Sequence, residues 1–565
     1  MCGIAGIISG KNREKELDAM LKLQHHRGPD FTGKWLGDGA YMGHNRLSII
    51  DLEAHSNQPF VSEDGRYILS FNGEIYNYIE IKQELKGYNF KTEGDTEVLL
   101  AAYEKWGHDC LAKFRGMFAF AIWDVKNQSL FAARDRFGVK PFHYAIKDAD
   151  FIFSSEIKAI LGTDLIDREW NKKVWANYLS FAQYNMERDT FYDNIWQLEP
   201  GHFLTWKNGE LRTEKYYDFE KRLNFEQWLG KTDDDIKDIV KAKLQECIAL
   251  RLRADVKRGF NLSGGVDSTL LFSLIKDKLP PESTEAFTFY CNNGDYDELE
   301  WVNQILGDTD YSWTKCLVEK DGFTDYAKKI QWHEDEPFAG LATMAYARTF
   351  EEARKKNYTV VLDGSGMDEQ IGGYDYYYNQ NDSLVQGSSS SPVRRHTINK
   401  DFGEHAKKYN YRQPFKNELL NLQYRDLLHT KLPRDLRMTD RISMAFSTEM
   451  REPFMDHELI EMCFSLPYEY KFREGQRKWL MRQIVKDYVQ KPLVDAPKRP
   501  IQTPQREWLS HDFKDWVSDI SHKGMDKTNW LIKDEVDKEL KHFFEKDNSN
   551  SFYIWQWVTI GLLNE

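Results

Sequence analysis

Through about residue 205 the chain alternates short apolar runs with turn chemistry: GIAGIIS, AYMGHNRLSIIDL, YILSFNGEIYNY, FAFAIWD, SLFAARD and FIFSSEIKAI. Runs of this kind, broken by turn residues, predict packed β-sheets with a few helices. The character changes after Asp218. Residues 232–254 place Ile236, Ile239, Val240, Leu244, Cys247 and Ile248 at helical spacing, with Thr232 as N-cap and acids in the first turn, which predicts one amphipathic helix. A short buried strand GFNL (259–262), a glycine loop, a helix from about Asp267 and a strand EAFTFY (285–290) follow, and VVLDG (360–364) reads as a further strand ending in a polar loop. Strand, loop and helix in that repetition predict a doubly wound parallel sheet, with ligands at the carboxyl ends of its strands. From about 430 the pattern is mostly helical. QGSSSSPVRRH (386–396) is the one low-complexity patch and is expected as a surface loop.

A chain of 565 residues exceeds one compact core, so length predicts about two to four domains. Its 41% hydrophobic and 30% charged residues are ordinary for a folded protein. A formal net charge of −13 argues against a partner held by neutralising phosphates, so no nucleic acid is expected. Cys2, Cys110, Cys247, Cys291, Cys316 and Cys463 form no CxxC pair, which predicts a reduced chain without disulfides or a zinc site. The start, MCGIAGIISGKNREK, lacks the basic region of a secretory signal, and no stretch reaches the roughly 20 apolar residues of a membrane helix. The expected compartment is the cytoplasm.

NLSGGVDSTL (261–270) fits neither the GxGxxG nor the GxxxxGK(S/T) spacing, and GKT at 230–232 has Phe225 where a phosphate loop needs glycine. Ser263, Gly264 and Gly265 let backbone N–H groups converge before a helix N-terminus, an anion cradle. No lysine follows the loop, so it suits a pyrophosphate held in place, with Asp267 able to carry Mg²⁺ between phosphate oxygens. A bare SGG is more often a close-packed turn; the full SGGVDS at the end of an apolar strand favours the phosphate. At the other end of the chain, Cys2 becomes the first residue once Met1 is removed. Its α-amine, titrating near ~7.7–8.0, then lies one residue from a thiol near ~8.5, a nucleophile with its own base.

SGGVDS resembles the pyrophosphate loop of the N-type ATP pyrophosphatases, which split ATP into AMP and pyrophosphate. GSGMDE (364–369) fits their second acidic loop, which implies that Asp368 shares Mg²⁺ with Asp267. CGIAG, HRGPD (26–30), GHNRLSIIDL (43–52), FNGEIYNY (71–78) and GDTEVLLAAYEKWG (94–107), in that order, resemble the class II glutamine amidotransferase domain of the asparagine synthetases. The resemblance implies an α+β, Ntn-hydrolase-like β-sandwich with flanking helices over residues 1–212. After it would come an α/β doubly wound ATP pyrophosphatase domain with extra C-terminal helices over 213–565. By the same resemblance Cys2 is the nucleophile, Asn72 and the Gly73 N–H form the oxyanion hole, Arg46 clamps the α-carboxylate of glutamine, and Glu74 and Asp95 face its α-amine. LPRDLRMTDRISMAFSTEMREPFMD (432–456), GQRKWLMR (475–482) and APKRPIQTP (496–504) continue the likeness and imply that Lys478 and Lys498 neutralise the leaving pyrophosphate. Ser263, Gly264, Gly265, Ser268 and Gly364 would then hold ATP, with Leu262 and Phe289 bordering the adenine. The implied reaction is glutamine-dependent amidation of a carboxylate through an acyl-adenylate, with glutamine, ATP and an acceptor carboxylate as substrates. The likeness also allows a homodimer.

Two features depart from that family. Its second loop carries a glutamate between the glycines, where this chain has Ser365, and its Thr-Thr-x-Arg element has no counterpart in EDEPFAGLATMAYAR (334–348). Both argue against aspartate as acceptor. GSGMDEQIGGYDYYYNQN, QGSSSSPVRR and KRPIQTPQREW resemble relatives found among bacterial surface-polysaccharide genes, which implies a sugar uronate as acceptor, with Arg394 and Arg395 holding a nucleotide-sugar diphosphate. Aspartate is the alternative. A non-catalytic relative would have lost Cys2, Asp267 or Asp368, and a cyclase similar to β-lactam synthetase would lack the terminal cysteine; the chain keeps all of them.

Overall fold

A computed structural model describes residues 2–184, 187–307, 309–379, 391–489 and 503–564. The first part consists of two six-stranded antiparallel sheets. One runs Trp196–Gln197, His143–Lys147, Asp150–Ser154, Gly3–Ile8, Ala40–Arg46, Phe31–Gly37; the other runs Glu210–Lys215, His202–Lys207, Ser129–Arg134, Gly116–Asp124, Tyr67–Ile75, Phe60–Val61. Strand alternation explains the stacking. Gly116–Asp124 sends Phe118 and Phe120 outward under helix Asp95–Trp106, where they meet Val98 and Leu99, and sends Ala119, Ala121 and Trp123 inward against Ile4, Met42 and Phe153 of the other sheet. Helix Glu14–Leu23 covers the outer face of the first sheet with Leu17, Met20 and Leu21.

The second part is built on a parallel sheet in the order Ser312–Leu317, Glu285–Tyr290, Arg258–Asn261, Val360–Leu362, Glu449–Arg451. The strand order reverses between Arg258–Asn261 and Val360–Leu362, the place where an open α/β sheet leaves a crevice at its carboxyl edge. The glycine loop and GSGMDE leave the sheet at this point, side by side. Helix Asp233–Arg251 begins at Thr232, whose side chain forms a reciprocal capping box with Asp235. The helical tail holds a strand that the apolar pattern does not reveal: Glu449–Arg451 is three residues long, and its glutamate and arginine are fully buried.

The two parts share one apolar core, in which Leu47, Ile49, Tyr76, Met117 and Val139 pack with Phe260, Leu362, Met367 and Met455. Ion pairs rim it, Arg27–Asp440 at 2.9 Å and Arg115–Asp456 at 3.0 Å among them. The six cysteines are free and buried. No helix among the described residues is long and apolar enough to cross a membrane.

Candidate active sites

Antiparallel pairing assembles the first site. Gly3 pairs with Asn45, which brings Cys2 to the same end of the sheet as Arg46. The backbone N–H of Cys2 donates to Asn72 Oδ1 at 3.0 Å, so the nitrogen that becomes the α-amine on loss of Met1 is already held. The other side-chain atom of Asn72, Nδ2, is buried and has no hydrogen-bond partner among the described residues. An unpaired buried donor is costly, and here it stands beside the thiol as an oxyanion donor would. Gly73 follows with φ +148°, and a β-carbon there would meet the Met117 carbonyl oxygen at 2.1 Å, so only glycine lets the next N–H take this direction. Burial raises the Cys2 thiol above its ordinary range.

The Arg46 guanidinium is fixed by the 51–57 loop: Nη1 donates to Glu53 O and Asn57 Oδ1, each at 2.8 Å, and Nη2 to Asp51 O. Asp95, at the start of its helix, accepts the Ile75 N–H at 2.8 Å and is pushed up to about 6 by burial. Glu74 is likewise raised by burial, against the opposing charge of Arg451. Its Oε2 has no hydrogen-bond partner among the described residues. The structure therefore brings Cys2, Arg46, Asn72, Gly73, Glu74 and Asp95 into one buried cluster.

The second site is a cleft of about 710 Å³ at the carboxyl edge of the parallel sheet. Leu262, Ser263, Gly265, Asp267, Ser268, Phe289, Gly364, Asp368 and Lys478 all line it. Ser268 Oγ donates to Ser263 O at 2.9 Å and accepts the Ser263 N–H at 3.1 Å, which pins the loop against its helix. A β-carbon on Gly264 would meet that of Trp301 at 2.8 Å, so the loop passes too close to this neighbour for a side chain. The Lys478 ammonium lies between Asp267 and Asp368, bonded to both, so the two carboxylates converge from adjacent strand tips on one point. Among the described residues no group of three or more acidic, His or Cys side chains could hold a metal. Two carboxylates suit an ion whose remaining ligands are phosphate oxygens and water. Lys498 lies outside the described residues. Arg394 is occupied elsewhere, paired with Glu539 at 2.9 Å and lying 4.2 Å over Tyr553, and Arg395 lies 4.8 Å over Phe181; neither lines the cleft.

The cleft also contains residues that motif reading passed over. Ser365 does not stand alone: its Oγ donates to Asp363 Oδ1 at 2.6 Å, and Asp363 Oδ2 accepts from Asn261 at 3.1 Å and from the Tyr346 hydroxyl. Asp435 interacts with the same Ser365 hydroxyl and is raised to about 6, mainly by the crowding of protein atoms around it and then by Asp363. By accessible surface Asp435 is exposed and lines the cleft, so the crowding that raises its carboxyl comes from the side chains around it and not from exclusion of solvent. Lys431 is pushed down to about 7 by burial, with Arg434 adding to the shift. Asp363 directly precedes GSG, which could have marked it; Asp435 sits in a stretch whose helical pattern gives no sign of a site.

Comparison with known proteins agrees with this geometry. The glutamine amidotransferase domain family matches residues 1–217 and the asparagine synthase family residues 240–563. Asparagine synthetase (glutamine-hydrolyzing) 1 of Bacillus subtilis is 30% identical over 98% of this chain and 95% of its own length. Amidase chry2 of Gibberella zeae is 26% identical over 93% of this chain and 92% of its own. Among solved structures, the glutamine phosphoribosylpyrophosphate amidotransferase of B. subtilis is 15% identical, covers 65% of this chain and 76% of its own, and superposes with a TM-score of 0.31. The chain belongs to the glutamine-hydrolysing asparagine synthetase family, carbon–nitrogen ligases that take their amido nitrogen from glutamine.

Proposed function

We propose that residues 1–212 free ammonia from glutamine and residues 213–565 amidate a sugar uronate in polysaccharide biosynthesis. In the first site the Cys2 thiolate attacks the side-chain amide of glutamine while the α-amine takes the thiol proton. The oxyanion develops against Asn72 Nδ2 and the Gly73 N–H. Ammonia leaves, and water hydrolyses the thioester to glutamate. The shared apolar core suits the passage of a neutral molecule between the sites. In the cleft the acceptor carboxylate displaces pyrophosphate from ATP, Lys478 balances the phosphate charge, and ammonia then displaces AMP. Asp267 and Asp368 would hold Mg²⁺, which supplies charge neutralisation on the phosphates. Asp435 accepts the proton that the attacking nitrogen sheds, a role that Ser365 cannot fill.

The observation that carries the acceptor reading is the setting of Ser365. It is tied to Asp363, and the same cleft is also lined by Arg434, Gln505, Arg506 and Ser551. Two arginines there suit an acceptor with more negative charge than an amino acid. A family that includes a protein named an amidase also supports variation of the acceptor. The test incubates the enzyme with glutamine, Mg-ATP and a panel of UDP-linked uronates and aspartate, with products read by mass spectrometry. A uronamide is expected; asparagine as the favoured product overturns the reading and leaves aspartate as the acceptor.

A further inference from the structure

One side chain of the synthetase half forms part of the glutaminase pocket. Arg451 ends the edge strand of the parallel sheet and is fully buried. Its Nη2 lies 3.2 Å from Glu74 Oε1, its Nε 2.5 Å from Glu449 Oε1, and its Nη1 donates to the carbonyls of Arg251 at 2.8 Å and Arg253 at 2.6 Å. Nε and Nη1 are thus fixed by hydrogen bonds and Nη2 stands at ion-pair distance from Glu74, while the guanidinium also lies 5.3 Å over the ring of Tyr76, a second residue from the first half of the chain. The second oxygen of Glu74, Oε2, is buried and hydrogen-bonds nothing among the described residues. A carboxylate with one oxygen against an arginine and the other bare is set to receive a cation from the pocket side.

We propose that Arg451 is a positioning residue of the glutaminase site, setting Glu74 to bind the α-ammonium of glutamine across the boundary between the two halves. The inference rests on Glu74 being a glutamine ligand. Glu74 stands near Asp95 and Glu449, and burial together with those two charges works against its ionisation; Arg451 is the largest of the charges that oppose them. Without it Glu74 would lose the group that fixes its Oε1, and the ammonium of glutamine would lose an oriented partner. Arg451 also ties this pocket to the cleft. Its carbonyl accepts the Asp363 N–H at 2.9 Å, and Asp363 carries Ser365, so a single residue touches the ammonia-releasing pocket on one side and the acceptor loop on the other. The glutaminase domain cut from the chain would lack this wall of its own pocket.

The test uses the full-length enzyme and two assays: glutamine hydrolysis, and product formation with ammonia as nitrogen source. Arg451→Gln is expected to raise the glutamine KM by about 10- to 100-fold, the scale of coupling between residues in one ion-pair network, while ammonia-supported synthesis stays within about twofold. Arg451→Lys keeps the charge but loses the fork, and is expected to raise the glutamine KM by about three- to tenfold. It keeps the question decidable if the Gln variant does not fold. A wild-type KM in either variant overturns the proposal, as does an equal fall in both assays. Glu74→Gln separates the two ideas: if it leaves the KM unchanged, Glu74 is no glutamine ligand; if it raises the KM where Arg451→Gln does not, only the role of Arg451 fails.

Discussion

The two sites differ in how they are made. The glutaminase pocket is closed, with Cys2, Asn72, Glu74 and Asp95 all under 9% exposed, and its parts come mostly from paired strands whose register fixes them. The synthetase cleft is open, about 710 Å³, and draws its walls from segments scattered between Asn261 and Phe552. A pocket that handles one small amino acid can be built rigidly from backbone. A cleft that must hold ATP, an acceptor and an incoming nitrogen is lined by long side chains that can be exchanged. That contrast assigns the shared chemistry to the first site and the individuality of this enzyme to the second.

The sharpest way to break the comparison is to remove the thiol. Cys2→Ala is expected to lower glutamine hydrolysis by at least about 10³-fold, since a group acting as nucleophile leaves only binding and the oxyanion donors behind. Ammonia-supported amidation is expected to stay within about twofold, because Cys2 lies in the other half and does not line the cleft. Equal loss of both activities would show that the sites do not work separately.

Much of this was legible in the sequence, and the reason is physical. The inner strands of the first sheets are buried on both faces and joined by turns, so apolar runs broken by turn residues predict packed sheets; Gly73 is required because its φ and the Met117 carbonyl exclude a side chain. SGGVDS and GSGMDE flank the reversal of strand order, where loop composition and topology point to the same crevice. What stayed hidden was charged: two residues buried in the sheet and one that faces the cleft. Glu449 and Arg451 have no apolar signature, although their strand completes the sheet, and Asp435 lies on helix Lys431–Met444 amid Arg434 and Arg437, where a charged residue reads as a solvated face. At Gly264 the motif suggests the phosphate wall, and the nearness of Trp301 is a second constraint that no spacing reveals.

A smaller effect sharpens the assignment of the cleft. Asp435→Asn is expected to slow amide formation about 10- to 100-fold, the usual worth of a positioned base, while ATP–pyrophosphate exchange stays within about twofold. Asp435 is raised to about 6 and faces Asp363, Ser365, Arg434 and Asp368, so amide formation in the native enzyme should decline as pH falls below about 6, when the carboxylate is protonated. Hydroxylamine, neutral at pH 7 and readily deprotonated after attack, should restore part of the rate in the variant. Equal loss of exchange and amide formation would make Asp435 a structural or acceptor-binding residue.

The smallest effect tests the closed pocket by pH. Asp95 is raised to about 6 by burial, and a carboxyl raised above its unfolded value adds stability that is present below the unfolded value and lost as pH rises through about 6. Glutamine binding runs the other way, because its α-ammonium needs the ionised form. One unit below its titration about a tenth of the group is ionised, so the glutamine KM should rise about tenfold between pH 7 and pH 5 if Asp95 alone limits binding. Glu74 is raised as well and adds to the slope. Asp95→Asn should therefore give a higher KM at pH 7 and a shallower rise on acidification, without altering the pH profile of ammonia-supported synthesis. A KM profile identical in the native enzyme and the Asp95→Asn variant would place the α-ammonium against other groups and remove Asp95 from the pocket's chemistry, while the contrast between the sites would still rest on Cys2 and Asp435.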